Sequence, residues 1–148
     1  MSFKLYFKHN FDFKINSNRR KEISFLRVTK KNFLHTKHLI QKSIDTFNSE
    51  IQWDGMWDCN DAKIRLNENQ ILYLLLENNK PIGHVWYKLY YIYNAFVSQK
   101  RKNGDSVWFI QETMRDMKEK CDLKYVKLYV DDWNERAINF WKKNGFTK

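Results

Sequence analysis

The chain has 148 residues, 43% of them apolar and 17% aromatic, with one Pro and four Gly; this suits one globular unit and excludes a disordered or linker-rich chain. No stretch approaches the roughly 20 apolar residues of a membrane span, and the N-terminus, with Lys4 and Lys8 but no continuous apolar run or small-residue cleavage site, does not read as a signal peptide. Its 27 Lys and Arg against 17 Asp and Glu give a net charge of +10, a field that attracts polyanions.

Residues 3–15 alternate in two short runs broken at His9-Asn10, a strand-turn-strand pattern that predicts a β-hairpin. Ile23 to Val28 forms the next predicted strand. Phe33, Ile40, Ile44 and Phe47 then recur at spacings of seven, four and three, which predicts an amphipathic helix over residues 30–48. Trp53 to Asp58 is a tryptophan-rich turn that either lines a pocket or packs beneath a loop, and a short helix is expected after it, to about residue 67. Ile71 to Glu77 and Ile82 to Leu89 read as a hairpin joined by a turn over Asn78 to Pro81, with a further strand at residues 90–98. The period changes at Gly104 or Asp105, where Val107, Ile110, Met114, Met117 and Cys121 step by three and four and predict a helix. A strand over Tyr125 to Val130 and a helix from Asn134 to Asn144, stopped by Gly145, complete the order.

Cys59 and Cys121 are far apart, with no CxxC and no His at zinc spacing, so no metal site is expected and the pattern fits reduced thiols in a cytoplasmic protein. Arg19-Arg20-Lys21 and Lys30-Lys31 read as solvated faces rather than a nucleic-acid track, because no nucleic-acid motif accompanies them.

Chemistry is expected at the junction from Phe96 to Ser106. A strand feeds a basic, glycine-bearing turn and then a helix start, a combination that gathers unpaired backbone N–H groups and binds phosphate. The turn resembles the phosphate motif of the GNAT acetyltransferase family, which runs Arg or Gln, two residues, Gly, one residue, and Gly or Ala; Arg101, Gly104 and Ser106 stand at those places. A second match follows: Leu128-Tyr129-Val130, then Asn134, Ala137, Phe140, Trp141, Gly145 and Phe146, with Ile82-Gly83 at an earlier strand start.

The resemblance implies an α/β fold with a single mixed, mostly antiparallel sheet flanked by helices. Residues 1–20 would form an additional N-terminal hairpin before a 21–148 core, and the C-terminus is short, ending two residues after Phe146. It also implies an N-acetyltransferase that uses acetyl-CoA and an amine-bearing acceptor, without metal. By that resemblance the backbone of Phe96 and Val97 meets pantetheine and polarises the thioester. The amides of Lys102, Asn103, Gly104, Asp105 and Ser106 hold the pyrophosphate with charge from Arg101 and Lys102, and Asn134 contacts the pantetheine arm or orders a water.

A base for the attacking amine is expected among Asp131, Asp132, Tyr93 and His84, with Asp131 and Tyr93 the candidates taken forward. Trp141 stands where the family places a Tyr that protonates the departing thiolate; an indole donates a hydrogen bond but delivers no proton, which leaves Tyr129 or an unassisted thiolate. The missing C-terminal strands would be supplied by the hairpin or by a partner subunit, as in a homodimer. The alternative is a catalytically weakened binding protein of the same fold that acts on an RNA or protein partner through its basic surface.

Overall fold

Two neighbouring asparagines fix the hairpin at the centre of the sheet. Asn78 and Asn79 both take left-handed backbone angles (φ 49° and 66°), the conformation a two-residue hairpin turn requires. Strand β3 (Ile71–Glu77) therefore turns straight into β4 (Lys80–Lys88), with Glu77 opposite Lys80. Pro81, expected in the turn, lies in β4. Its missing N–H is tolerated there because the register slips at the next step, from Leu76↔Pro81 to Leu75↔Gly83.

The computed structural model describes residues 4–11, 19–50, 59–68, 70–88, 90–121 and 123–148. Besides β3 and β4 these form β1 (Lys4–His9), β2 (Ile23–Val28), β5 (Tyr91–Val97) and β6 (Val126–Asp131). The helices are α1 (Phe33–Glu50), α2 (Cys59–Asn67), α3 (Asp105–Cys121) and α4 (Glu135–Lys143). The strands make one mixed sheet in the order β1-β6-β5-β4-β3-β2, antiparallel except for the β5·β6 pair.

Helices cover both faces, which is why β3 is a continuous apolar run rather than an alternating one. On one face Phe33, Ile40, Ile44 and Phe47 of α1 and Leu66 of α2 pack on Leu72, Leu74, Trp86 and Phe96. On the other, Phe109, Ile110, Met114 and Met117 of α3 and Trp141 of α4 pack on Tyr73, Leu75, Val85, Val126, Leu128 and Val130. Among the described residues no helix is long and apolar enough to cross a membrane.

The N-terminal strand closes the sheet. β1 pairs antiparallel with β6 from Lys4↔Asp131 to His9↔Val126, and on its outer side Lys8 exchanges backbone hydrogen bonds of 2.8 and 2.9 Å with Thr147. The chain's own N-terminal strand thus occupies a position beside β6. The second arm of the expected hairpin and the Trp53 to Asp58 turn lie outside the described residues.

α4 ends against this strand. Phe146 N–H bonds the Trp141 carbonyl at 3.0 Å and Gly145 N–H the Lys142 carbonyl at 3.1 Å, while the Phe146 and Trp141 rings meet 5.0 Å apart; this is the doubly bonded glycine cap with its apolar contact. Gly145 has φ 89°, and a Cβ there would stand 2.9 Å from the His9 ring. Gly145→Ala is expected to destabilise the protein by about 2 kcal/mol, combining left-handed strain with displacement of His9. Urea unfolding checks this, and an unchanged midpoint would contradict it.

Candidate active site

Among the described residues β5 and β6 run parallel but share a single register pair, Tyr91↔Lys127, beside a 2.7 Å bond from Lys127 N–H to the Tyr90 carbonyl. The reason lies in β5. Opposite β4 it pairs Asn94 with Trp86 but Ile92 with Tyr87, so Tyr93 is an extra residue, a bulge that bends the strand just after its last contact with β6. Beyond it the strands part and leave a gap.

Strand alternation decides which backbone groups face that gap. Ser98 N–H donates to the Ile82 carbonyl at 2.7 Å and the register pairs Phe96 with His84. The groups of Phe96 are therefore directed at β4, while those of Ala95 and Val97 are directed away from it, towards β6. The Phe96 carbonyl lies so close to β4 that a Cβ on Gly83 would approach it to 2.8 Å. The gap-facing pair is thus Ala95 and Val97, a correction to the expected Phe96 and Val97. Gly83 is there because β4 and β5 need its missing side chain.

Between β5 and α3 the loop is pinned at both ends. At its start Glu50, the last residue of α1, accepts from the Ser98 hydroxyl at 2.5 Å and from Gln99 N–H at 2.8 Å. At its end Asp105 is only 3% exposed; it accepts from Lys102 N–H at 2.9 Å and from the Arg20 guanidinium at 2.9 and 2.7 Å. Arg20 also bonds Glu77 at 2.6 Å. Burial works against the charged carboxyl of Asp105, but these hydrogen bonds outweigh it and hold its pKa below the usual value.

Hence the amides of Lys102 and Asp105, expected at the phosphate, are already engaged: Lys102 N–H by Asp105, and Asp105 N–H by the Lys102 carbonyl at 3.2 Å. The amides without a partner among the described residues are those of Asn103, Gly104, Ser106 and Val107. They surround Gly104, whose φ of 91° turns the chain into the N-terminus of α3, where the helix dipole adds positive potential. The Arg101 guanidinium bonds the Ser98 carbonyl at 3.1 Å, so it braces the loop. Lys100 and Lys102 are exposed; neither forms a salt bridge among the described residues, and the charge of Lys102 acts on Asp105 from a distance.

The remaining candidates separate. Asp131 ends β6 and bonds Lys4 of β1 at 2.6 Å; it shares a face with Lys127 and Tyr129, opposite the core positions Val126, Leu128 and Val130. Tyr93 supplies the bulge, and its side chain lies outside the described residues. Asn134 caps α4, its side-chain oxygen accepting from Ala137 N–H at 3.1 Å. Trp141 is 7% exposed within the α3/α4 core; packing, not proton delivery, is what its position supports. Tyr129 is 45% exposed, and its hydroxyl has no partner among the described residues.

Behind the gap, Ser43 lies 3.0 Å from His84 Nδ1, and His84 Nε2 is 2.7 Å from the Asn94 side-chain oxygen. His84 thus spans α1 and β5 beside the bulge. No group of three or more His, Cys, Asp or Glu among the described residues is arranged to hold a metal ion. Arg20, Glu50 and Ala95 were not legible as site residues: Arg20 reads as one of a basic cluster, and its partners Glu77 and Asp105, like the partners Ser98 and Gln99 of Glu50, are far away in sequence.

The sequence profile of the acetyltransferase (GNAT) family matches residues 36–146. Among solved structures the fold is similar to an aminoglycoside acetyltransferase, meta-AAC0020, from an uncultured soil metagenomic sample (20% identity, covering 83% of this chain and 87% of that one, TM-score 0.64). It is similar to a GNAT-family acetyltransferase from Streptococcus pneumoniae (17%, 85% and 85%, 0.62). It is similar also to the aminoglycoside N-acetyltransferase AAC(6')-Iy in complex with CoA (12%, 88% and 91%, 0.61). At such identities the likeness is one of fold. Among curated protein sequences no match reaches significance.

His84 generates a prediction about pH. Burial lowers its pKa to about 4, against a smaller opposing effect of the Asn94 hydrogen bond. Between the unfolded value of about 6.5 and about 4 the unfolded chain binds the extra proton, so stability falls as the pH falls through that window, by about 3 kcal/mol in all. Urea unfolding from pH 7 to pH 4 is expected to show this slope in the wild type and a much flatter one in His84→Gln. Equal slopes would refute the assignment.

Proposed function

The chain belongs to the acetyltransferase (GNAT) family, and from that premise we propose that it moves an acetyl group from acetyl-CoA to a primary amine by direct attack. The observation that carries the reading is the set of unpaired amides at Asn103, Gly104, Ser106 and Val107, at a helix N-terminus beside a gap between parallel strands. A pyrophosphate accepts from such amides and is favoured by the helix dipole, with Lys100 and Lys102 adding charge. The gap-facing groups of Ala95 and Val97 suit the amide-bearing pantetheine arm as a substitute strand, and a backbone N–H there polarises a thioester carbonyl. Two of the similar structures are of aminoglycoside acetyltransferases, which supports an amine as acceptor here.

In the transfer the amine nitrogen bonds the acetyl carbon and the carbon–sulfur bond breaks. One proton leaves nitrogen and one reaches sulfur. Asp131, on the Tyr129 face of β6, receives the first through water. The Tyr129 phenol supplies the second, a role that Trp141 cannot take because an indole does not release its proton near neutral pH.

Three measurements test the reading. Acetyl-CoA at about 100 times its Kd is expected to stabilise the fold by about 2.7 kcal/mol, seen as a rise in Tm. Gly104→Ala, which strains the left-handed turn by about 1–2 kcal/mol, is expected to weaken acetyl-CoA binding about tenfold. With an amine panel, thiol release should be detectable, and Tyr129→Phe should lower kcat about a hundredfold with little change in KM. No Tm shift with acetyl-CoA would refute the proposal. Binding without turnover would favour the second reading, a binding protein that retains CoA, to which the buried Trp141 at the usual Tyr position lends support.

A further inference from the structure

α1 and α2 pack on one face of the central strands β3 and β4. Further along that face Tyr6 and Tyr129, with Tyr90 in the β4–β5 turn, are 39–45% exposed. Where this surface meets α2 there is an open depression of about 410 Å³, lined among others by Arg65, Lys88, Tyr90, Tyr91, Lys127 and Tyr129. Tyr91 and Lys127 are the one register pair among the described residues that joins β5 to β6. The floor of the depression is therefore the vertex of the gap, and the rings of Tyr91 and Tyr129 close over it from the two strands with centroids 5.8 Å apart.

The charged side chains that line it among the described residues are of one sign. Arg65, Lys88 and Lys127 are cations, and no acidic side chain among the described residues lines the depression. Lys88 and Lys127 have no carboxylate partner among the described residues. The Lys127 ammonium lies 4.9 Å from the centre of the Tyr90 ring and 5.8 Å from that of Tyr129. Ring faces hold a cation in place without neutralising it, so the positive potential stays available to a ligand.

We propose that this depression receives the acceptor, and that the acceptor is an amine which also bears an anionic group, a carboxylate or a phosphate, rather than a polyamine. The proposal rests on the acetyl-transfer reading above and names its substrate class. A polyamine or aminoglycoside would bring several positive charges to a pocket whose described charged residues are all cations, with Lys88 and Lys127 free of carboxylate partners among the described residues, on a chain of net charge +10, where like charges repel over the whole approach. An anionic group pairs instead with Lys127 and Lys88, and the tyrosine rings accept a flat or apolar portion. The same cations favour the neutral form of a nearby amine, the form that attacks a thioester.

Thiol release from acetyl-CoA is to be measured with phenylalanine and phosphoethanolamine in one arm and spermidine and kanamycin in the other. At least one anionic amine is expected to show kcat/KM about tenfold or more above both polycations, and the two anionic probes distinguish carboxylate from phosphate. Lys127→Glu and Lys88→Glu should each raise KM for that amine about tenfold; Lys88 is exposed, so its variant guards against a folding defect in the other. Preference for spermidine or kanamycin, or an unchanged KM in both variants, overturns the proposal. Calorimetry with N-acetylphenylalanine and phosphoethanolamine, without acetyl-CoA, separates the two readings. Binding that is lost in Lys127→Glu, in a protein that neither binds nor consumes acetyl-CoA, would keep the anion pocket and discard acetyl transfer. Absence of binding by both probes discards the pocket.

Discussion

One extra residue in β5 governs the arrangement of the candidate site. With Tyr93 bulged out opposite the Trp86–Tyr87 step, β5 cannot follow β6 past the Tyr91↔Lys127 pair. A parallel strand pair would normally continue as an evenly spaced ladder of hydrogen bonds. Here the break leaves backbone groups of Ala95 and Val97 without a neighbouring strand, and it leads β5 into the loop that opens α3. A cosubstrate with amide groups of its own can enter such a gap as a strand would, which links a local irregularity of backbone to the proposed chemistry.

The loop after β5 works by division between amides that are engaged and amides that are not. Glu50 takes the first, Asp105 takes that of Lys102, and the ones around Gly104 are left over. On charge alone the Asp105 carboxylate would repel a phosphate. Its carboxylate is instead buried and doubly bonded by Arg20, which is itself shared with Glu77. The negative charge is spent inside the fold, and the surface around Gly104 keeps the positive end of the helix and two exposed lysines.

At the far edge the two ends of the chain support each other. β1 lies between β6 and Thr147, and His9 fills the space beside Gly145 that any side chain would contest. The N-terminal segment pairs beside β6, and its alternating pattern places Phe7 in the core shared with Val126, Leu128 and Phe146. The same pairing brings Lys4 to Asp131, so the N-terminal strand also touches the candidate base.

What the sequence by itself determined was local or periodic in origin. The α1 face from Phe33 to Phe47, the strand at Ile23–Val28, the glycine stop at Gly145 and the family motifs all depend on spacing along the chain. The β3–β4 turn was legible too, but not its length, since only the φ values of Asn78 and Asn79 restrict it to two residues. Tertiary structure alone decided which polar groups remain unpaired. Arg20 meets Asp105 across 85 positions and Glu50 meets Ser98 across 48, and no periodicity reports such contacts. It decided as well that Phe96 faces β4 while Ala95 faces the gap, because a one-residue bulge inverts a strand's two sides and is invisible until the neighbouring strand is in place.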